Sequence, residues 1–226
     1  MNKNTKLREV VEKYMNAVSE IKIHCDRCLR TERYGGNVVL MLIDAAFTSI
    51  GLNYFKTVVP AVLRFRDSFG IKNLRDLKNA NMDELRSVWK NSRSWNVAIE
   101  AAKYISTLSS NDREALRKWA KSSTLEKWKN DPIGKIRGVG LITYQYLRMM
   151  GGIDTVMPDK IVKRVINEIL SEAGFENVKN DMEFIKTVEK IANLTNYRPI
   201  ELCWMTWLIQ YGEEERKKYL LLLQEL

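Results

Sequence analysis

The sequence predicts an all-α protein, on three observations. Apolar residues recur at helical spacing in one segment after another, with charged residues between them. Alternating apolar and polar runs, the mark of a half-buried strand, are nearly absent. The punctuation is Gly, Asn and Asp, placed where helices start and stop. With 226 residues the chain can bury a sizeable core, as one large domain or two small ones.

Residues 7–21 carry the first amphipathic pattern. After the break at Tyr34-Gly35-Gly36, residues 37–47 are apolar almost all round and predict a buried central helix that Gly51 ends. Residues 53–69 form the next amphipathic run. Asn81-Met82-Asp83-Glu84 is a cap followed by first-turn acids, opening a short helix through Trp89. The pattern continues through 94–108 and 112–120. Residues 124–129 begin a helix before a glycine-rich turn, and 141–150 form the helix after it. Residues 160–170, 181–194 and 200–212 complete the set, with a charged tail at 213–226.

Lys and Arg number 37 against 28 Asp and Glu, a formal charge of +9. Such an excess speaks about partners rather than fold, and nucleic acid is the expected polyanion because the basic residues are scattered among helical segments. No window approaches the roughly 18 consecutive apolar residues of a membrane span. The N-terminal segment is charged and helical in pattern, without the apolar core of a signal peptide, so an intracellular, cytoplasmic protein is expected. In a prokaryote it would associate with the nucleoid. Cys25 and Cys28 form a CxxC beside His24, the only histidine, and Cys203 lies far along the chain. A zinc site would need all four to converge, so reduced thiols on a helix and no metal are expected.

The densest chemistry lies in Ile136-Arg137-Gly138-Val139-Gly140. Two glycines around one apolar residue suit a sharp hairpin whose backbone approaches a ligand closely. The amides of Val139, Gly140 and Leu141 then stand at a helix N-terminus, where they favour an anion such as a DNA phosphate. Asp159, in Met157-Pro158-Asp159, opens the 160–170 helix nineteen positions after Gly140.

A glycine hairpin followed by one acid at a helix mouth resembles the helix-hairpin-helix (HhH-GPD) base-excision DNA glycosylase superfamily, including its endonuclease III-like branch. The helices at 37–51, 53–69, 81–90 and 94–108 are similar to the family's succession before the hairpin. Trp207-Leu208-Ile209-Gln210-Tyr211-Gly212 resembles its Trp-Leu-Ile-x-x-Gly helix, so the likeness spans about residues 37–212. Three departures stand out. Arg137 replaces the usual Pro before the first Gly, which could add a phosphate contact. Ile142 stands where lyase-type members carry Lys, which removes the obvious Schiff-base nucleophile. The tail from Glu213 lacks the four cysteines of the iron–sulfur subgroup.

The resemblance implies a two-lobed helical glycosylase fold. One lobe (37–150) ends in the helix-hairpin-helix, and the other joins 1–36 to 151–226, with the motif and Asp159 at the interdomain cleft. It implies a monomer acting on double-stranded DNA that contains a damaged or mismatched base. No cofactor and no iron–sulfur cluster are expected, although the hairpin could take a monovalent cation. Such an enzyme rotates the nucleotide out of the stack before cleaving its N-glycosidic bond. Lys135, Arg137, Gly138, Val139, Gly140, Leu141, Lys160 and Lys163 are the candidate contacts to the DNA backbone. Leu52, Asn53 or Tyr54 is the candidate wedge for the vacated stack, with packing beneath the next helix as the other reading of Leu52 and Tyr54.

Asp159 matches the family's catalytic acid. A fixed carboxylate stabilises an oxocarbenium-like sugar and orients or deprotonates water. Asp after Pro at a helix mouth is also an ordinary N-cap, and Asp159 can be both. Asp44 sits inside the apolar helix, where an unpaired carboxylate is costly. It either lines the base pocket, with Phe47 one turn on, or is satisfied by a backbone or basic neighbour. Trp204, Trp207 and Tyr211 share one helical side and are candidates to sandwich a flipped base, with core packing as the alternative. Trp89, Trp95, Trp119 and Trp128 belong to the core. The expected activity is monofunctional base excision. The alternatives are a non-catalytic DNA-binding protein of the same fold, or a lyase recruiting Lys160 or Lys163.

Overall fold

The computed structural model describes residues 2–226. Among the described residues it contains thirteen α-helices and no strand, as the hydrophobic periodicity predicts. The residues up to Arg27 together with Asp154–Leu226 form one compact unit, and Cys28–Ile153 form the other.

Helix α1 (Lys3–Asn16) starts where the Asn2 side chain accepts the Asn4 amide, and it buries Leu7, Val10, Val11 and Met15. The pattern expected over 7–21 is interrupted by a turn at residues 17–20, after which α2 (Ile21–Leu29) carries the CxxC. All three cysteines are buried free thiols, and the described residues hold no group of three or more His, Cys, Asp or Glu able to bind a metal.

Within Cys28–Ile153 the centre is α3 (Val38–Thr48). Asn37 caps it by accepting the Leu40 amide, and every residue from Val38 to Phe47 is buried. Each fully buried aliphatic side chain there contributes about 1.5–3 kcal/mol. The expected 53–69 helix opens with a wide π-turn at Tyr54–Val58 before α4 (Val59–Ser68). Pro60 is the physical reason. It has no N–H to offer the preceding turn and crowds the carbonyl behind it, so Val58 and Val59 reach back five residues, to Asn53 and Tyr54.

Helix α5 (Leu74–Lys78), absent from the sequence expectation, buries Leu74 and Leu77. Helices α6 (Met82–Leu85), α7 (Ser92–Ile105) and α8 (Asp112–Ser122) follow, and α6 is shorter than expected. Asn73, Asn81, Asn91 and Asn111 each accept a first-turn amide at the mouths of these four helices.

The helix expected from residue 124 does not form. Residues 124–136 make a series of turns with one short 3-10 stretch, Trp128–Asn130. Pro132 disfavours helical backbone at Asp131, which is extended, and the Asp131 carboxylate accepts the Ile133 amide and the Trp119 indole. A Cβ on Gly134 would stand 1.7 Å from the Trp128 carbonyl oxygen, so the chain is closed on itself there. Helix α9 (Leu141–Met150) then starts where expected and packs on α3 and α8.

The other unit gathers α10 (Lys160–Glu172), α11 (Asp181–Thr195) and α12 (Pro199–Ile209) around α1, and α13 (Glu213–Glu225) packs on α12. The charged tail is thus a helix. Residues Ile200–Leu208 of α12 are all buried, making it the counterpart of α3 as the apolar centre of its unit. No helix of the described residues is long and apolar enough to cross a membrane.

Candidate functional site

Two groups of residues carry the chemistry singled out from the sequence, one in each unit. In Cys28–Ile153, the glycine turn precedes α9. Gly138 has φ +110°, and a Cβ there would lie 2.9 Å from Val97 Cγ2 and 3.1 Å from Arg93 Cγ and Nε. Glycine is therefore required at 138 by conformation and by the close approach of α7. Gly140 has φ −106°, and a Cβ on it would meet nothing within 4 Å. Nothing inside the protein demands glycine at 140, and open space lies above its backbone.

The Val139 amide is spent on the Ile136 carbonyl, so it is not one of the outward donors expected. Gly140, Leu141 and Ile142 find no acceptor for their amides among the described residues, and they form the free N-terminal edge of α9. Lys135 and Arg137 are exposed beside them. The sequence reading missed Arg93. It reaches the turn from α7, and Asn96 one turn later donates weakly to the Arg137 carbonyl at 3.4 Å. Arg93, Lys135 and Arg137 have no carboxylate partner among the described residues. Three free cations around unspent amides make a surface suited to an anion.

Asp44 resolves in favour of the structural reading. Its Oδ2 lies 3.0 Å from Arg33 Nη1 and accepts hydrogen bonds from the hydroxyls of Tyr34 (2.7 Å), Tyr54 (2.9 Å) and Tyr146 (3.2 Å). Thr48 donates to Oδ1 at 3.3 Å. Arg33 also donates to the oxygens of Tyr146 and Tyr54, at 2.6 and 2.7 Å. The Asp44 and Arg33 side chains are both 0% exposed. Burial holds the Tyr34, Tyr54 and Tyr146 hydroxyls well above their ordinary range, so all three remain neutral donors. Arg33 was invisible in the sequence because its partner lies eleven residues away on another element.

Tyr54 is buried in that network, so it is not available as a wedge. Leu52 is 47% exposed in the turn after Gly51, and Asn53 beside it caps the π-turn by accepting the Lys56 amide. Phe47 is buried, stacked on Trp89 at 4.2 Å with its edge region against Trp95, so it is core rather than pocket lining.

In the other unit, Asp159 caps α10. Its Oδ1 accepts the amides of Ile161 and Val162 at 2.8 and 2.9 Å, and its Oδ2 accepts the Trp207 indole N–H at 2.7 Å. Burial raises the Asp159 carboxyl above its usual range, against the pull of the Val162 amide, the Trp207 indole and the Ile161 amide. No charged side chain is among the groups that shift it. Asp159 is therefore a fixed carboxylate without a cation partner, and it retains partial exposure.

Trp204 is buried, edge-on to His24 at 4.5 Å and to Trp207 at 5.3 Å, and belongs to the core. Trp207 is also buried, with its N–H directed to Asp159 rather than its face to a ligand. Tyr211 is half-buried against Tyr219. Lys163 donates to the Asp181 carboxylate at 2.7 Å and to the Lys179 carbonyl, which occupies its ammonium, whereas Lys160 is exposed. Comparison with protein-family models, with curated proteins and with solved structures returned no match.

Proposed function

We propose that this chain is a monofunctional DNA glycosylase of the helix-hairpin-helix superfamily, acting on duplex DNA that contains a damaged or mismatched base. The observation that carries the reading is Asp159, a half-buried carboxylate held by three neutral donors and neutralised by no cation. Such a group can meet the positive charge that develops on a sugar as its bond to the base breaks, and can orient the attacking water. The two units would divide the work. The amides of Gly140, Leu141 and Ile142, with Lys135, Arg137 and Arg93, would grip backbone phosphate in one. Asp159 would act on the sugar in the other.

Leu52 supports the reading as well, being one of three large apolar side chains exposed among the described residues. An apolar side chain on a turn is the type that enters a base stack. Of the two lysines of the lyase alternative, Lys163 is paired with Asp181 and Lys160 is exposed. A second reading, a DNA-binding protein without base chemistry, needs only the unspent amides of Gly140, Leu141 and Ile142 and the exposed cations beside them.

Base release from duplexes each carrying one alkylated, oxidised, deaminated or mismatched base separates the two. Wild type and Asp159→Asn are run side by side, with hot alkali to reveal abasic sites. Release by wild type that Asp159→Asn loses, with duplex binding intact, is the expected result. Binding without release from any duplex would transfer the assignment to the binding protein and reduce Asp159 to a helix cap.

A further inference from the structure

We infer that Trp207 is the positioning residue of Asp159, holding its second oxygen as a fixed, ionised acceptor for the sugar chemistry; the inference rests on the proposed glycosylase reading. The two oxygens of Asp159 have different duties. Oδ1 is consumed by the mouth of α10, where it takes two amides. That cap alone would leave Oδ2 free to gain a proton. Oδ2 instead receives the indole N–H at 2.7 Å.

An indole N–H only donates, so Trp207 cannot accept from a protonated Oδ2 and favours the anion alone. Its direction is fixed by its surroundings. The ring is 5% exposed, meets Trp204 edge-on, and belongs to a helix whose residues Ile200–Leu208 are all buried. Helix α12 also packs directly on α10, the helix that Asp159 caps.

Charged neighbours do not provide an alternative hold. On α10, Lys163 is bound to Asp181 and Arg164 pairs with Glu168, while Lys160 is exposed. The only charged residue of α12 is Glu201, which pairs with Arg198. Helix α1, also packed on α10, reaches it with Lys13, which pairs with Glu172 at the far end. Burial and three neutral donors surround Asp159, and among the described residues Trp207 is the only donor from outside the cap.

The test compares wild type with Trp207→Phe, which keeps an aromatic ring and removes the donor. The side-chain carboxyl carbon of Asp159 is followed by NMR as pH is varied, and base release is measured over the same range. The expected result is a higher titration midpoint in Trp207→Phe and a fall of about tenfold in kcat at neutral pH, the size of one lost hydrogen bond to a charged group. KM stays unchanged, and the acid limb of kcat moves up with the carboxyl midpoint. An unshifted midpoint overturns the inference. So does a loss in kcat that is equal at every pH.

The titration does not depend on activity. If no duplex releases a base, the glycosylase reading fails while the carboxyl midpoint still judges the hydrogen bond. Should Trp207→Phe fail to fold, the wild-type indole N–H resonance decides. It must move with the Asp159 midpoint, and independence of the two sinks the inference.

Discussion

Asp44 and Asp159 are the two acids that the sequence singles out, one in each unit, and their surroundings are opposite. Asp44 is wholly enclosed, with a guanidinium and three tyrosine hydroxyls converging on one oxygen. Asp159 is partly open and held only by neutral donors. The first arrangement leaves no net charge to offer a substrate. The second keeps a negative charge in a place where burial opposes it, and nothing inside the unit cancels it. Cation pairing, more than burial, therefore separates a carboxylate that builds a fold from one suited to chemistry.

The contrast breaks most sharply under single substitutions. Asp159→Asn should lower base release by about a hundredfold or more, the usual scale for losing an acid–base group. Thermal unfolding should show only a modest loss: the amide oxygen can still cap α10, while the amide nitrogen cannot accept the Trp207 N–H, a cost of about 1–3 kcal/mol. Loss of release together with a collapse in Tm would place Asp159 in the same structural class as Asp44.

Asp44→Asn should do the reverse. It leaves Arg33 buried without its counter-charge, which costs about 3–5 kcal/mol in a buried pair. Chemical denaturation should show that loss, and the double variant Arg33→Met with Asp44→Leu should recover much of it. A single Asp44→Asn that unfolds like wild type would mean that the tyrosines, not the ion pair, hold the network.

The two glycines of the turn should differ in the same way. Gly138→Ala forces a side chain into a positive φ and against Val97, so it should destabilise by about 1–3 kcal/mol. Gly140→Ala should leave stability intact yet weaken duplex binding, because its Cβ would occupy the space open to a ligand. Equal stability losses at both positions would remove the argument for a ligand above Gly140.

Two smaller effects sharpen the picture. Arg93→Gln should reduce the slope of log affinity against log salt by about 0.9, one phosphate's worth, with little change in Tm. An unchanged slope would remove Arg93 from the phosphate grip. The raised carboxyl of Asp159 also has a sign. Its folded state holds the proton more tightly than the unfolded one, so stability should fall slightly as pH rises from the ordinary aspartate range through the raised value. Asp159→Asn should flatten that slope, and the acid limb of wild-type base release should lie above the ordinary aspartate range.

Much of the helical framework is legible in the sequence. Asn37 and the apolar run behind it define α3, and Leu141–Met150 and Lys160–Glu172 start where Gly140 and Asp159 predict. These signals are local: a cap oxygen meets an amide two or three residues on, and an apolar stripe repeats each turn. The misses have local reasons of their own. Pro132 and Gly134 outweigh the weak helical pattern from residue 124, and α5 is too short for periodicity to reveal.

Local patterns along the chain already specify that it is helical, where its main helices begin, and that Asp44 and Asp159 each stand at an unusual place. Which groups surround each acid is a matter of packing between helices. Arg33, Tyr54 and Tyr146 reach Asp44 from separate elements, and Trp207 reaches Asp159 across 48 positions of chain. Spacing along a helix constrains neighbours within a turn or two. It says nothing of which side chain arrives from another helix, and that arrival sets whether a buried charge is cancelled or kept.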